Sequence, residues 1–212
     1  MQRIKMPEIL VVSRKKLFLD DYFEGFRKAR DINFGDEYEK RIQRNYVFKE
    51  REKIEKNPDY KQPIPYVIIF NPKIKKVFSF QRAKKDKDYG EKRLQGKWSF
   101  GIGGHRERKD AVPPHPIRRA MLREAEEEVG EVNWQRYRNF GYINDDSDDV
   151  GKVHFGIVYL METHNKIIRP KDREIFQGKL RGIRELEKII ETKDVEEWSK
   201  IAFKPLKEYL KC

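Results

Sequence analysis

The chain has 212 residues, 37% of them apolar and 40% charged, and 48 Lys and Arg against 36 Asp and Glu give a net charge of +12. This length suits one large domain or a core domain with an added segment, and the thirteen Phe, ten Tyr and three Trp exclude a disordered chain. The single cysteine, Cys212, excludes an intramolecular disulfide and indicates a reducing, cytoplasmic location. No apolar run approaches the roughly 20 residues of a membrane helix, so no membrane partner is expected.

The first part of the chain predicts an extension ahead of a core domain. Residues 9–12 form a short β-branched run that is typical of a strand. Residues 36–55 carry spaced apolar side chains among charges and predict one helix, which ends at Asn57-Pro58. We therefore expect residues 1–60 to form an α/β extension that packs on a core domain of residues 61–212.

Apolar and alternating runs then predict three strands. Residues 66–70 form a continuous apolar run, residues 76–81 alternate, and the Asn71-Pro72 turn between them indicates a hairpin. Residues 98–102 predict a further short strand, which ends in Gly103-Gly104.

The next predicted element is a helix with recognisable ends. Proline suits the first turn of a helix, where its missing N–H has no intrahelical partner, and Pro116 occupies such a position. Glycine suits the position just past a helix end, which is where Gly130 lies. Between these ends an apolar side chain recurs every four residues, which predicts a stripe that faces a sheet: Ile117, Met121, Ala125 and Val129.

Two more strands and two helices complete the predicted elements. Residues 140–143 and 153–160 predict strands on either side of an acidic loop. Residues 183–190 and 196–210 predict helices. Because strands and helices interleave along the chain, the pattern predicts an α/β or an α+β fold.

Three carboxylates share one face of the helix that ends at Gly130. Glu124, Glu127 and Glu128 are separated by three and four positions, and like charges at this spacing repel one another and destabilise an isolated helix. A divalent cation would remove that repulsion, because Mg2+ takes carboxylate ligands together with waters and substrate phosphates. A solvated acidic helix face is the alternative interpretation of the same residues.

The same helix carries a resemblance to a known family. The stretch R-E-A-E-E-E-V-G at residues 123–130, together with Gly104, resembles the signature of the Nudix hydrolases, G-x5-E-x7-R-E-U-x-E-E-x-G-U with U aliphatic. The chain departs from it at Asp110, which replaces the first glutamate, at the twelve-residue spacer after Asp110, and at Glu131, which replaces an aliphatic residue. Longer stretches resemble a phosphoesterase-like subgroup of unassigned substrate: residues 61–69, 96–105, 141–159 and 196–202.

This resemblance implies a fold and a reaction. The implied fold is a Nudix-type α/β/α sandwich with a mixed sheet, and the implied enzyme cleaves a phosphoanhydride bond in a nucleoside diphosphate linked to another moiety. Family members bind Mg2+ or Mn2+ through the signature glutamates, which places the metal on Glu124, Glu127 and Glu128 with a backbone carbonyl of Gly103 or Gly104. The catalytic residues implied in this chain are Arg123, which orients a glutamate, Glu124 and Glu127.

The resemblance leaves two parts of the site open. The general base is either a signature glutamate or an acidic residue of the later loop, for which a plain solvated turn is an equal alternative. Substrate phosphates are expected at Arg82, Arg93 and His105, although each side chain alone also fits a surface or structural role. The acidic residues of the loop are Asp145, Asp146, Asp148 and Asp149.

Three functions compete at this point. The first is a metal-dependent hydrolase whose partner is a nucleotide-like small molecule. The second is a protein that binds or processes RNA, because the charge of +12 attracts polyanions. The third is a catalytically silent nucleotide sensor on the same scaffold. Nucleic acid is thus a second candidate partner, and a homodimer is left open.

Overall fold

Short strands and helices alternate in the first half of the chain, and longer elements follow. The computed structural model describes residues 7–29, 37–83, 92–104, 116–130, 132–173 and 175–211. The strands are β1 (Glu8–Ser13), β2 (Gly25–Lys28), β3 (Val47–Glu50), β4 (Tyr60–Asn71), β5 (Lys76–Arg82), β6 (Trp98–Ser99), β7 (Ile102–Gly103), β8 (Trp134–Asn144), β9 (His154–Thr163) and β10 (Ile175–Gly182). The helices are α1 (Arg14–Phe18), α2 (Glu37–Asn45), α3 (Arg51–Ile54), α4 (Pro116–Val129), α5 (Ile183–Thr192) and α6 (Glu197–Lys211).

Contacts between residues divide the chain into two compact units. Unit 1 comprises residues 1–65, 104–121 and 139–158, and unit 2 comprises residues 66–103, 122–138 and 159–212. Strands β4, β8 and β9 and helix α4 contribute residues to both units. The predicted α/β class with a mixed sheet is confirmed, and so are the two C-terminal helices. Among the described residues, no helix combines the length and the apolarity that crossing a membrane requires.

In unit 1, strand β1 lies between β3 and the start of β4 and is antiparallel to both. Strand β2 pairs with the end of β8. Large apolar side chains from the first 60 residues are buried in this unit, as their hydrophobicity requires: Leu10, Phe18, Phe23 and Tyr38. The division of the chain into an extension and a core at residues 60 and 61 stays a prediction.

The single helix predicted over residues 36–55 is wrong. Helix α2 ends at Asn45, and β3 and α3 follow it as separate elements. The reason is the run Tyr46-Val47-Phe48, whose consecutive aromatic and β-branched side chains break the helical period and favour a strand. Strand β3 then pairs with β1, and Ile54 of α3 packs in the same cluster as Ile9.

In unit 2, strand β5 lies between β10 and β4, with antiparallel pairing on both sides. The strand predicted over residues 98–102 is two short strands on different partners, because β6 pairs with β5 whereas β7 pairs with β4. No alternating pattern predicts β10. Its register shifts between Phe176 and Lys179, and Gln177 between them has φ of 53°, so the two-residue period is interrupted.

Helix α4 begins at Pro116 and ends at Val129, as predicted. Gly130 has φ of +68°, and its N–H donates to the carbonyl oxygen of Glu126 over 3.0 Å, which is the left-handed helix end that favours glycine. The predicted apolar stripe is confirmed, because all four of its side chains are at most 2% exposed: Ile117, Met121, Ala125 and Val129.

Hydroxyl groups attach α6 to the turn between β6 and β7. The Oγ atom of Ser199 accepts the N–H of Phe100 over 2.9 Å and lies 2.7 Å from the hydroxyl of Tyr66. Gly101 packs so close to Tyr66 that an added Cβ atom would lie 2.4 Å from the ring. The turn therefore requires glycine at position 101 while Tyr66 is present.

Gly101→Ala should destabilise the protein by about 3 kcal/mol, because an added methyl group in a packed interior forces its neighbours to shift. Equilibrium unfolding in urea measures the change. Gly182→Ala is the control, since an added Cβ there meets nothing nearer than Glu185 Oε2 at 4.0 Å. It should cost less than about 1 kcal/mol, and equal losses in the two variants would contradict the requirement at position 101.

Candidate active site

Arg123 holds two of the three predicted ligands on helix α4. Its guanidinium nitrogens lie 2.8 Å from Glu124 Oε1 and 2.8 Å from Glu127 Oε2. The side chain of Glu124 is 14% exposed, whereas that of Glu127 is 56% exposed. Arg123, which the family resemblance implies orients a glutamate, contacts Glu127 one helical turn away. The two carboxylates are therefore oriented by one guanidinium.

Of the three predicted ligands, Glu128 is the one whose carboxylate makes no ion pair with the described residues. The residue as a whole is half-buried, but its Oε2 atom is buried and has no hydrogen-bond partner among the described residues. Burial raises the pKa of Glu128 to about 8, and the positive charge of Arg82 opposes this shift. Three nearby negative charges raise the pKa further: those of Glu124, Asp172 and Glu196.

Arg82 and Glu196 form a buried ion pair close to Glu128. Their side chains are 12% and 6% exposed. The Oε2 atom of Glu196 also accepts a hydrogen bond from the hydroxyl of Ser99 over 2.8 Å. The backbone N–H of Glu196 donates to the carbonyl oxygen of Trp98 over 2.9 Å. Arg82 is therefore not a freely moving surface side chain. A buried carboxylate fixes it, and its positive charge lowers the pKa of Glu128.

The helix motif does not predict Asp172 or Glu196. The N–H groups of Lys171 and Asp172 donate to the carbonyl oxygen of Glu128 over 3.0 and 3.2 Å, which places Asp172 at the end of α4. Nothing in the local sequence around Asp172 indicates this contact. Glu196 begins the stretch 196–202 that carries part of the wider family resemblance, and that resemblance is its one sequence signal.

The chemistry of these residues fits a divalent cation. Within the described ranges, no three His, Cys, Asp or Glu side chains already stand in the geometry of a metal site. The buried Oε2 of Glu128 nevertheless lacks a partner, which a cation would supply. The donors in the predicted set are carboxylate and carbonyl oxygens, which are the ligands of hard cations such as Mg2+ and Mn2+.

The structure describes some of the remaining predicted site residues and not others. Gly103 lies at the end of β7 opposite Tyr66, and Gly104 follows it as the last described residue before position 116. Arg93 is exposed in a short 3-10 turn at Lys92–Leu94. His105, expected at substrate phosphates, and Asp110, which departs from the signature, lie outside the described residues.

Asp146, in the acidic loop, lies within a cluster of cations in unit 1. It pairs with Arg14 and with Nζ of Lys61, which is 2.7 Å from its Oδ1 atom. Burial by itself raises the pKa of Asp146, but hydrogen bonds from Arg14, Lys61 and Tyr22 outweigh it and lower the pKa to about 2. Burial lowers the pKa of Lys61 to about 8, with Asp146 opposing the shift.

The other acidic residues of this loop make local contacts. Asp145 accepts the N–H of Ser147 over 3.1 Å, and Asp148 accepts the N–H of Gly151 over 2.7 Å. Asp149 is 91% exposed and pairs with a neighbouring lysine. These contacts give the loop a structural role, and the choice of general base between this loop and a signature glutamate stays open.

The chain is similar to one curated protein in sequence and to several solved structures in fold. Protein YmaB of Bacillus subtilis strain 168 is 31% identical over 209 residues, which cover 92% of this chain and 95% of YmaB. The crystal structure of Tm1382, described as a candidate Nudix hydrolase, is 29% identical and superposes with a TM-score of 0.77 over 95% of this chain and 99% of that one. The chain belongs to the Nudix hydrolases. As a Nudix protein it is a hydrolase of the pyrophosphohydrolase kind, and the predicted Nudix fold is confirmed.

More distant comparisons add the fold alone. The NUDIX domain of Shewanella oneidensis NrtR, solved with ADP ribose, is 12% identical with a TM-score of 0.53 and covers 71% of this chain and 88% of that one. No family model matches the chain. The assignment to the Nudix family therefore rests on the likeness in sequence and structure to Tm1382, which spans almost the whole chain.

Arg82→Met should destabilise the protein by about 3–5 kcal/mol, because it leaves the buried carboxylate of Glu196 without its counter-ion. Urea unfolding at neutral pH measures this loss. Arg119→Met, on the exposed surface of α4, is the matched control and should change stability by less than about 0.5 kcal/mol. If the two variants were equally stable, the ion pair of Arg82 would not be a structural requirement.

The stability of the wild-type protein should fall as the pH decreases from about 4 to about 2. The folded protein keeps Asp146 ionised down to its lowered pKa of about 2, whereas the unfolded chain binds a proton near the ordinary value of 3.8. In Asp146→Asn this part of the pH dependence should be missing, and stability at pH 7 should already be lower because Lys61 is buried and loses its partner.

Urea unfolding between pH 2 and pH 7 compares the two proteins. Asp149→Asn is the control, since that carboxylate is 91% exposed, and it should follow the wild-type curve. An Asp146→Asn profile parallel to the wild-type profile would show that the cluster does not hold Asp146 ionised.

Proposed function

We propose that this Nudix hydrolase cleaves a phosphoanhydride bond in a nucleoside diphosphate linked to another moiety, by attack of water at phosphorus with Mg2+ or Mn2+ at the glutamate helix. The observation that supports it most is the buried, unpartnered Oε2 atom of Glu128 among other negative charges. A carboxylate that burial and its neighbours make costly to ionise is stabilised when a cation binds. The signature stretch at residues 123–130 points to the same helix.

The proposed ligands are Glu124, Glu127 and Glu128, with the backbone carbonyl of Gly104. The metal, when bound, neutralises phosphate charge and lowers the pKa of the attacking water. Arg123 contacts Glu124 and Glu127 at 2.8 Å, so it orients both carboxylates and affects catalysis through them. The general base is a signature glutamate or a residue of the acidic loop.

Substrate phosphates are proposed to bind at Arg82, Arg93 and His105. Arg82 has the strongest structural support, because its ion pair with Glu196 fixes its position and its positive charge lowers the pKa of Glu128. A guanidinium fixed in place loses little conformational freedom when it binds an anion. The proposed partner is accordingly a nucleotide-like small molecule.

Cellular location and assembly are also proposals. One cysteine in 212 residues fits a reducing cytoplasm. A net charge of +12 keeps nucleic acid as a second candidate partner, and a homodimer is the assembly to test by sedimentation. The hydrolase assignment of the family makes a silent sensor the weaker alternative.

A hydrolysis screen with Mg2+ and with Mn2+ is the experiment that tests this function. The substrates are nucleoside triphosphates, dinucleotide polyphosphates, nucleotide sugars, NADH, ADP-ribose, capped RNA and prenyl diphosphates. Cleavage that stops on addition of EDTA and resumes with excess Mg2+ is the expected result. If no phosphoanhydride is cleaved with either metal, the proposal fails and the sensor takes its place.

Glu127→Gln and Glu128→Gln should each lower turnover of the substrate found in the screen by about 100-fold or more, because a metal ligand contributes several kcal/mol of charge stabilisation. Both proteins should stay folded, since removing a negative charge relieves repulsion on the helix. Calorimetric titration with Mn2+ should show weaker binding in both variants. Steady-state kinetics and circular dichroism complete the measurement.

Glu126→Gln is the matched control for these two variants. Glu126 is exposed on the same helix, and it is not one of the proposed ligands. It should keep wild-type turnover and Mn2+ affinity. Wild-type turnover in Glu127→Gln, or an equal loss in all three variants, would show that the ligands are assigned to the wrong residues.

A further inference from the structure

A groove in unit 1 combines aromatic and cationic side chains far along the chain from the Nudix signature. The groove has a volume of about 640 Å3 and is open to solvent. It is formed where β1 ends, α1 follows and β4 begins, because Ser13 pairs with Tyr60 and the N–H of Arg14 donates to the carbonyl oxygen of Asp59 over 2.7 Å. Its lining includes Arg14, Lys15, Leu19, Tyr22, Asp59 and Tyr60.

Leu19 has an unusual conformation at the edge of this groove. Its φ of 52° and ψ of −119° are unfavourable for a residue with a side chain, and its side chain is 61% exposed. Leu19 ends helix α1, and its N–H donates to the carbonyl oxygen of Lys15 over 3.0 Å, a helix end that glycine would form without strain. Backbone strain of this kind is concentrated at ligand-contacting positions. The exposed leucine is therefore positioned for a partner.

Tyr22 presents a rigid aromatic ring on the same groove. The ring is 49% exposed, yet its hydroxyl lies 2.6 Å from Glu24 Oε2 and 2.9 Å from Asp146 Oδ2. The guanidinium of Arg14 lies 5.3 Å from the ring centroid, and the ring of Phe18 packs in a T-shaped arrangement with the two centroids 5.2 Å apart. A half-exposed ring held in this way can stack on a planar ligand with little further loss of freedom.

Lysine side chains also lie at these aromatic groups, in addition to the carboxylates of Glu24 and Asp146 at the Tyr22 hydroxyl. Lys15 lines the groove, is exposed, and makes no ion pair with the described residues. Lys49 lies 4.9 Å from the centroid of Tyr60, and Lys16 follows Lys15 on α1. Asp59 is the acidic residue of the lining, and Arg14 is paired with Asp146, so Lys15 is the cation of the lining that is available to an anionic ligand.

We infer that this groove is a second binding site, separate from hydrolysis, for a nucleoside phosphate whose base stacks on Tyr22 and Leu19 and whose phosphate binds Lys15. Aromatic side chains beside lysines bind nucleotides by stacking and by phosphate attraction. The volume of the groove accommodates a ligand of this size, since small-molecule sites span roughly 300–1,000 Å3. The ligand is a free nucleotide or the end of an RNA strand, which share this chemistry.

The test is a binding titration of the full chain with AMP, with UMP and with a 5′-phosphorylated hexauridylate. EDTA is present throughout, so that the proposed metal site does not contribute. Leu19→Gly removes the exposed side chain and relieves the strain, so binding should weaken about tenfold while urea unfolding shows equal or greater stability. Hydrolysis of the substrate from the screen should be unchanged in this variant.

Charge-reversal variants distinguish binding in this groove from a general attraction of nucleotides to the positively charged protein. Lys15→Glu should weaken binding about tenfold, whereas Lys16→Glu, the same change on the next residue, should weaken it less than about threefold. A hexamer that carries 5-iodouracil should cross-link under ultraviolet light to the peptide with Tyr22 or Tyr60. Binding of mononucleotides identifies a free nucleotide as the ligand, and binding of the hexamer alone identifies an RNA end.

Several results would overturn the inference. One is the absence of binding by all three probes, and another is cross-linking only to other peptides. Equal losses of affinity in Lys15→Glu and Lys16→Glu would also overturn it, because they would indicate diffuse charge attraction. Unchanged affinity in Leu19→Gly would also overturn it. So would a concentration-dependent dimer that Leu19→Gly abolishes in sedimentation, because the groove would then bind a second copy of the chain.

Discussion

The carboxylate of Glu196 is buried between β5, β6 and the start of α6, and unit 2 depends on how its charge is balanced. A carboxylate moved out of water costs several kcal/mol unless charged and hydrogen-bonded partners replace the water. Arg82 and Ser99 provide those partners for the carboxylate, and the backbone N–H of Glu196 separately donates to the carbonyl oxygen of Trp98. These contacts determine where α6 begins and hold Arg82 in one place.

A single guanidinium in this region acts on several carboxylates. Arg82 pairs directly with Glu196 and also lowers the pKa of Glu128, while Glu124 and Asp172 shift that pKa upward. Arg123 is engaged with Glu124 and Glu127. The negative charge that remains near the end of α4 is the physical basis for proposing a divalent cation there, independently of the family signature.

Local signals explain which parts of the fold the sequence predicts. Helix α4 is predicted to its ends because Pro116 and Gly130 each mark one end and the apolar stripe repeats between them. The helix predicted over residues 36–55 is wrong because the strand at its centre depends on pairing with β1. Strand β10 escapes prediction because its bulge interrupts the alternation.

In the candidate site, too, contacts within one helix are predictable from the sequence, whereas contacts between distant residues are not. The contact of Arg123 with Glu127 follows from helical spacing alone. The partners of Asp146 are separated from it by 132 residues in the case of Arg14 and by 85 in the case of Lys61, so an acidic loop in the sequence gives no sign of them. Asp172 and Glu196 likewise reach Glu128 through tertiary folding, which no motif on α4 encodes.

The close packing of Gly101 on Tyr66 restricts how this sequence can evolve. An added Cβ atom at position 101 would overlap the ring, so any other residue there requires a smaller side chain at position 66. Loss of the Tyr66 ring in turn removes the hydroxyl that Ser199 contacts. Homologues should therefore divide into two groups, one with glycine and tyrosine at these positions and one in which both have changed, with few intermediates that carry only the change at position 101.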